Sequence, residues 1–277
     1  KRRFKTLLNL LVKSSERRKR PYYFFAEISP VFIDSETAHL MQLAFFSSIQ
    51  IGFEAMTDSL LKKMEKRHRF AHNIQALKLG NQYNLKMDGL NIIREIPTET
   101  TEDVIESSIN LKFLRFLLSK YPLSPIYLML CKGSPFYDEG TEEERKSWNS
   151  DLFWEEIAPT NLVSAPDRFE LFSFSIDSPA HCQEWGIFDR VMTSYTQQNR
   201  SYTWTEYPDG SYVEEKGPKI LRYTFDREET DILIFCDVIR NISELKTKFP
   251  HLSEEKLFGI LSSLKEAGFL YYDTECT

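Results

Sequence analysis

Ser48-Ile49-Gln50-Ile51-Gly52-Phe53-Glu54 reads as a short apolar strand that ends on a glycine and a carboxylate. Its neighbours on both sides repeat a strand-then-helix rhythm. Upstream, Tyr22-Tyr23-Phe24-Phe25-Ala26-Glu27-Ile28 is strand-like, and Asp34 then precedes a helical stretch carrying Leu40, Leu43 and Ala44. Downstream, Thr57 and Asp58 are suited to cap a helix with Leu60, Leu61 and Met64 on its inner face. Phe70, Ile74 and Leu77 recur at spacings of four and three and predict another helix. Leu85 to Ile93 predicts a third strand. Thr100-x-x-Asp103 is a capping box that opens a long helix through Ile105, Ile109, Leu114 and Leu117. Ile126 to Leu130 predicts a fourth strand. Alternation of this kind implies parallel strands joined by right-handed crossovers. About four such units are present where a closed barrel needs eight, so the pattern predicts a partial barrel or an open doubly wound sheet.

Composition bounds the function classes. The 277 residues suffice for two domains or one large one, and 42% hydrophobic with 27% charged residues is ordinary for a globular chain with a sizeable core. A net charge of −6 argues against a general nucleic-acid binder. Residues 1–20 run the other way, with nine Lys or Arg against the single acid Glu16. Phe4, Leu7, Leu8, Leu11 and Val12 recur there at helical spacing, and no aromatic platform is interleaved with the bases, so a surface helix is expected. The cysteines Cys131, Cys182, Cys236 and Cys276 stand far apart without CxxC spacing, so no zinc or cluster set can be read from them. Cys236 follows Ile232-Leu233-Ile234-Phe235, where a buried free thiol is expected. No secretory leader and no apolar run approaching the roughly 18 residues of a membrane span is evident, so the chain is expected to be cytoplasmic. It opens on Lys1 inside a helical pattern, as a cut chain would.

After Cys131 the texture changes. Asp138-Glu139-Gly140-Thr141-Glu142-Glu143-Glu144 predicts an acidic, solvated turn or linker. Phe169 to Ile176 alternates like a strand. Tyr202 to Tyr207 and Ser211 to Glu214 predict a hairpin across Pro208-Asp209-Gly210. The tail predicts three helices: Thr230 to Arg240, a short one capped by Ser243 and ended by Pro250, and one capped by Ser253 and ended by Gly268. Phe269-Leu270-Tyr271-Tyr272 predicts a closing strand. The third helix carries Glu254, Glu255 and Glu266 against Lys256 and Lys265, the wrong sign for a groove reader. Packing or peptide recognition is the expectation for this winged-helix-like module.

In parallel sheets ligands bind at the carboxyl ends of the strands. Glu54 closes its strand beside Gly52, which allows close approach of a ligand or of backbone. Asn91-Ile92-Ile93-Arg94-Glu95 closes the third strand. A carboxylate and an amide at neighbouring strand ends suit a ribose diol, whereas a salt bridge from Glu54 to Lys66 is the purely structural alternative. His68 and His72 have the i,i+4 spacing of a metal-binding helix, yet no third ligand accompanies them and Lys66, Arg67 and Arg69 crowd the site. GxSxG, Walker and GxGxxG motifs are absent.

These strand-end residues carry a resemblance. Gln50-Ile51-Gly52-Phe53-Glu54, then Leu60-Leu61-x-x-Met64-x-Lys66 and His72-Asn73, resemble the fourth-strand passage of radical S-adenosylmethionine enzymes. Gly89-Leu90-Asn91-Ile92-Ile93 through Ile96-Pro97-x-Glu99-Thr100-x-Glu102-Asp103 is similar to their fifth-strand "GFPGE" passage. Ser134-Pro135-Phe136-Tyr137 and the leucine-rich tail look like the cobalamin-dependent C-methyltransferases of ribosomal-peptide maturation. The resemblance implies an α/β fold: a partial TIM-like barrel over 1–137, an α+β linker region with a hairpin over 138–225, and a winged-helix-like module over 226–277. It implies that Glu54, Lys66, Asn91 and Ile93 contact S-adenosylmethionine, Ile93 through the adenine. It further implies a [4Fe–4S] cluster and possible cobalamin held by parts outside this chain, and a precursor-peptide substrate, with no nucleic-acid or membrane partner.

Two departures stand out. Glu95 and Thr98 replace the two glycines of "GFPGE", and the CxxxCxxC loop is missing, so this chain alone is expected to be inactive. Another radical branch, of methylthiotransferase or porphyrin type, and a non-enzymatic half-barrel that serves as a binding subunit or split-gene product, are the competing readings.

Overall fold

The structure, a computed structural model, describes residues 1–18, 20, 22–146, 148–150, 174–176 and 181–273. Its organising feature is a parallel sheet. Strand β1 (Phe24–Ile28) pairs with β2 (Phe46–Ile51), which pairs with β3 (Met87–Asp88). β4 (Asn91–Arg94) pairs in parallel with β5 (Ser124–Tyr127). The isolated bridge Glu54↔Ile92 continues the register set by Gln50↔Asp88, so β3 and β4 occupy one strand position. The single strand expected over Leu85–Ile93 is therefore interrupted. Gly89 adopts φ 61° and the Asn91 N–H turns back to the Gly89 carbonyl at 2.8 Å, which breaks the ladder for two residues.

Helices cover one face of this sheet. Helix α1 (Arg2–Ser15) buries Leu8, and α2 (Ser35–Leu43) is capped by the Asp34 carboxylate accepting from the Thr37 N–H at 2.8 Å. Short α3 (Asp58–Lys63) starts on Thr57, whose hydroxyl oxygen accepts from the Leu60 N–H, and α4 (Phe70–Gln82) follows. The capping box predicted at Thr100 and Asp103 opens α5 (Thr101–Asn110), which tightens into a 3₁₀ turn over Leu111–Leu114. Ile49, Ile51, Phe53, Leu60, Leu61, Phe70, Leu77, Ile92, Val104 and Leu114 share one core. Each such side chain removed from water stabilises by about 1.5–3 kcal/mol before entropy is counted. On the other face Phe25, Glu27 and Ile126 are exposed, and Gln50, Asn91 and Ile93 are half-buried. The isoleucines that mark α5 in the sequence do not face the core: Ile105 and Ile109 are about half exposed, at 46% and 52%, while Val104, Ser107, Asn110 and Leu111 are buried.

Pro135 begins a four-residue helix, α6 (Pro135–Asp138), and α7 (Glu142–Lys146) forms within the acidic stretch where a solvated turn or linker was expected. β6 (Trp148–Ser150) pairs antiparallel with β7 (Phe174–Ile176); the rest of the strand expected from Phe169 lies outside the described residues, as does Cys276. Helix α8 (Cys182–Gln197), which sequence patterning does not single out, packs Trp185 and Phe188 onto the main core.

The expected hairpin is present as β8 (Ser201–Tyr207) and β9 (Gly210–Lys216), and a third antiparallel strand, β10 (Ile220–Asp226), joins it. Three helices follow. α9 (Arg227–Phe235) starts three residues before the expected Thr230, because Asp226 and Glu229 form a reciprocal cap. α10 (Ile242–Lys248) is capped by Asn241, not Ser243, and α11 (Glu254–Glu266) is capped by Ser253 as expected. Gly268, at φ 74°, ends that last turn. Phe269 to Tyr272 forms no strand; Leu270 joins the second core, with Val213, Phe225 and Leu257, and Tyr271 packs edge-on to Phe70 and Phe113. No described helix is long and apolar enough to cross a membrane.

Candidate functional site

Strand β2 ends in an unusual backbone. Glu54 takes φ 63°, a left-handed conformation rarely adopted by a residue with a side chain and found preferentially where function holds it. Its carbonyl still accepts from the Ile93 N–H at 2.9 Å, so the left-handed residue is built into the ladder with β4. Two buried amides hold the turn from beneath. Asn73 Nδ2 donates to the Phe53 and Ala55 carbonyls at 2.8 and 3.2 Å, and Asn110 Nδ2 donates to the Met56 carbonyl at 2.8 Å. Sequence reasoning assigned neither a role; polar residues on otherwise apolar helix faces were the available signal.

The Glu54 carboxylate folds back over Gly52. A methyl group built on Gly52 would lie 3.0 Å from Glu54 Oε1, so the glycine leaves the space this oxygen occupies. Lys66 Nζ lies 3.2 Å from the same oxygen. Lys66 is brought there by Glu65, whose φ of 55° ends α3 and lets the Lys66 N–H bond the Leu61 carbonyl at 2.8 Å. The salt bridge named as the structural alternative thus forms. It also fixes the carboxylate's direction.

The two residues on β4 are placed differently from each other. Ile93 sits beside Glu54 through the ladder, half-buried against the main core. Asn91 opens β4 rather than closing a strand, opposite Ser124 on β5. It lies on the same half-buried face as Ile93, and its side-chain amide makes no hydrogen bond among the described residues.

The carboxyl end of β4 is built without the two glycines of the resembling pattern. Glu95 takes φ 61° in place of the first. Its N–H donates to Glu99 Oε2 at 3.3 Å, and Trp185 Nε1 donates to Glu99 Oε1 at 2.8 Å. Burial raises the Glu99 pKa above the ordinary carboxylate range, and these two hydrogen bonds act against that rise. Arg94, only 8% exposed, lies with its guanidinium carbon 4.5 Å from the Trp185 ring centre and pairs bidentately with Asp189. Helix α8 therefore clamps this turn from outside.

His68 and His72 do not form the i,i+4 pair. His68 lies in the turn before α4, and His72 Nδ1 accepts from the Arg69 N–H at 3.1 Å. Among the described residues no group of three His, Cys, Asp or Glu could hold a metal ion, and the residues present do not fit an iron–sulfur cluster. Cys131 and Cys182 are exposed free thiols, while burial pushes the Cys236 thiol up to about 11.

No protein-family model matches this sequence, and no curated protein matches it. Solved structures do show likenesses. The radical S-adenosylmethionine methyltransferase TsrM from Kitasatospora setae, with tryptophan substrate and a SAM analog bound, is similar at 16% identity over 66% of this chain and 39% of that one, with a TM-score of 0.48. TsrM with cobalamin and a [4Fe-4S] cluster bound is similar at 14% identity over 68% of this chain and 40% of that one, with a TM-score of 0.49. The cobalamin-dependent S-adenosylmethionine radical enzyme OxsB with aqua-cobalamin bound is similar at 16% identity over 50% and 21% of the two chains, with a TM-score of 0.34. This chain spans 21% to 40% of the length of these proteins.

Proposed function

We propose that this chain is the cofactor-closing, C-terminal part of a radical S-adenosylmethionine enzyme that modifies a ribosomally made peptide, by C-methylation. The observation that carries the reading is the Gly52–Glu54 turn. A left-handed strand-end glutamate folds over a glycine, is oriented by Lys66 and adjoins Ile93. An aligned carboxylate at that position suits two vicinal hydroxyls of a ribose, which both donate to it. Ile93 offers an apolar surface for an adenine ring, and the unbonded Asn91 amide can both donate to and accept from an amino-acid moiety. The bound cofactor would supply the radical. Cluster ligation and cobalamin are assigned to parts of a longer protein; within this chain the domain bounds are 1–137, 138–225 and 226–277, and the last of these is the candidate for peptide recognition.

Titration calorimetry of the chain with S-adenosylmethionine tests this directly. Saturable binding is expected, weakened about tenfold or more in Glu54→Gln, since a hydrogen bond to a charged group contributes about 1.5–3 kcal/mol. Undetectable binding, or binding that ignores Glu54, sinks the assignment. The same result would favour a non-enzymatic half-barrel in which the Lys66–Glu54 ion pair is only structural. Anaerobic reconstitution of this chain with iron and sulfide is expected to yield no cluster absorbance; a clear [4Fe–4S] spectrum would overturn the claim of inactivity.

A further inference from the structure

A cavity of about 240 Å³ lies where the two cores meet, between α4, the connection from α9 to α10, α11 and the C-terminal segment. None of the four residues assigned to the cofactor lines it, so it is a separate place in the fold. Ala71 and Ile74 come from α4, Ile242 and Leu245 from α10, and Phe258 and Leu261 from α11. Ile74, Ile242 and Phe258 are half-buried, which leaves part of each side chain facing open space.

The charged and amide side chains around it are bonded to other groups of the chain. Gln75 Nε2 donates to the Ile33 carbonyl at 3.2 Å, and its Oε1 accepts from the Ile239 N–H at 3.1 Å. Lys78 donates to the Asp237 carbonyl at 2.5 Å and pairs with that residue's carboxylate. Arg240 donates to the Phe235 carbonyl at 3.3 Å and to Glu244 at 3.4 Å, while Asp273 pairs with Arg69. The Tyr271 hydroxyl donates to Asp58 at 3.3 Å. Of the polar side chains that line the cavity, only Cys236 and Tyr272 are left, and a thiol is a weak donor. Burial pushes that thiol up to about 11, as an apolar setting does. A bound water needs two to four polar partners, which this wall does not offer, so the cavity favours an apolar occupant.

Size and lining narrow the occupant. An apolar cavity of about 150 Å³ already takes up benzene, and this one is more than half as large again. Phe258, Phe269, Tyr271 and Tyr272 place aromatic rings in its wall, and edge-to-face or offset contacts favour an aromatic guest over a saturated one of equal size. A charged ring would be buried beside cations that are already paired, and its desolvation would go uncompensated. We propose that this cavity binds one uncharged aromatic ring system of up to two fused rings, as a free molecule or as a side chain of a peptide. This second ligand site stands whether or not the cofactor assignment does.

The test is an NMR titration of the full chain with its isoleucine methyl groups labelled, using four compounds built on one ring: toluene, methylcyclohexane, benzoate and N-acetylphenylalanine amide. Saturable toluene binding is expected, with the Ile74 and Ile242 methyl resonances shifting on addition. Methylcyclohexane should bind at least about threefold more weakly and benzoate at least about tenfold more weakly. Tighter binding of the amide than of toluene identifies a peptide side chain as the source; tighter binding of toluene identifies a free molecule. Ala71→Leu, which adds volume to the wall, should weaken toluene about tenfold or more while the far-ultraviolet circular dichroism stays unchanged. Absence of saturable toluene binding, shifts that bypass Ile74 and Ile242, or methylcyclohexane or benzoate binding equal to toluene overturns the proposal. Should Ala71→Leu fail to fold, the comparison of the four compounds on the unaltered chain still decides.

Discussion

At Gly89 a single backbone angle decides how the sheet is built. With φ 61°, and with the position of an added Cβ 2.9 Å from Gln50 Cδ, any larger residue here is strained and must push aside the Gln50 side chain on β2. Gly89→Ala is expected to lower unfolding free energy by about 1–3 kcal/mol, read by urea denaturation, because backbone strain and the steric contact add. A cost below about 0.5 kcal/mol would mean the strand break tolerates a side chain. His68 sets a different test. Its folded pKa lies below 6.5 because burial disfavours the charged ring. The folded state then holds fewer protons than the unfolded state in the window just below 6.5. Its stabilising contribution is complete above that window and is lost as pH falls through it. Burial shifts Asp58 and Glu99 upward, which has the opposite sign, so the residue must be isolated by difference. The stability gap between wild type and His68→Phe, followed by urea unfolding from pH 8 to 5, should narrow steadily as the wild type loses stability; a gap independent of pH would place the ring in solvent.

Helix α5 shows which parts of an element can be read from its residues. The capping box at Thr100 and Asp103 was legible because it is a local exchange of hydrogen bonds within four residues. The buried face was not, because Ser107 and Asn110 occupy it while Ile105 and Ile109 face outward. Each polar residue has a partner that a sequence does not display: the Ser107 hydroxyl donates to the Asp103 carbonyl and Asn110 to that of Met56. The consequence is measurable. Leu111→Ala or Leu114→Ala should cost about 2–5 kcal/mol, and Ile109→Lys under about 0.5 kcal/mol, in chemical denaturation. The reverse order would put Ile109 on the buried face. The same reasoning covers the candidate site. Glu54 was legible from the Gly52-Phe53-Glu54 pattern, and Lys66 as its ion-pair partner from local spacing. Trp185 and Asp189 were not, since they reach Glu99 and Arg94 across 86 and 95 residues of chain. Helix α8 was missed for the same reason: Trp185 and Phe188 find their core only once the sheet exists.

Across the whole molecule, two cores meet at a buried charge cluster. Glu215 on β9 is 1% exposed, and its Oε2 accepts from Arg115 Nε at 3.1 Å while Oε1 pairs with Arg200. Arg115 stands just after the 3₁₀ turn of the main core and is 5% exposed. It also donates to the Gly268 carbonyl at 2.7 Å, and its guanidinium carbon lies 4.9 Å from the Phe269 ring centre. One side chain thus ties the parallel-sheet core to the antiparallel sheet and to the end of α11. Exposed links such as Lys78–Asp237 join the same two regions, but salt screens those. A buried pair behaves differently: removing one partner leaves the other charged and desolvated. Glu215→Ala is therefore expected to cost about 3–5 kcal/mol, with little change between low and high salt. Replacing both partners, Arg115→Met with Glu215→Leu, should cost less than Glu215→Ala alone, because no charge is left stranded. Urea unfolding of the three chains, followed by tryptophan fluorescence and by far-ultraviolet circular dichroism, reads both effects. If the cluster couples the cores, Glu215→Ala also separates the two probes into distinct transitions. Coincident transitions with a loss under about 1 kcal/mol would show that the cores stay joined without the buried cluster, with apolar contact such as Tyr271 against Phe70 and Phe113 sufficient to couple them.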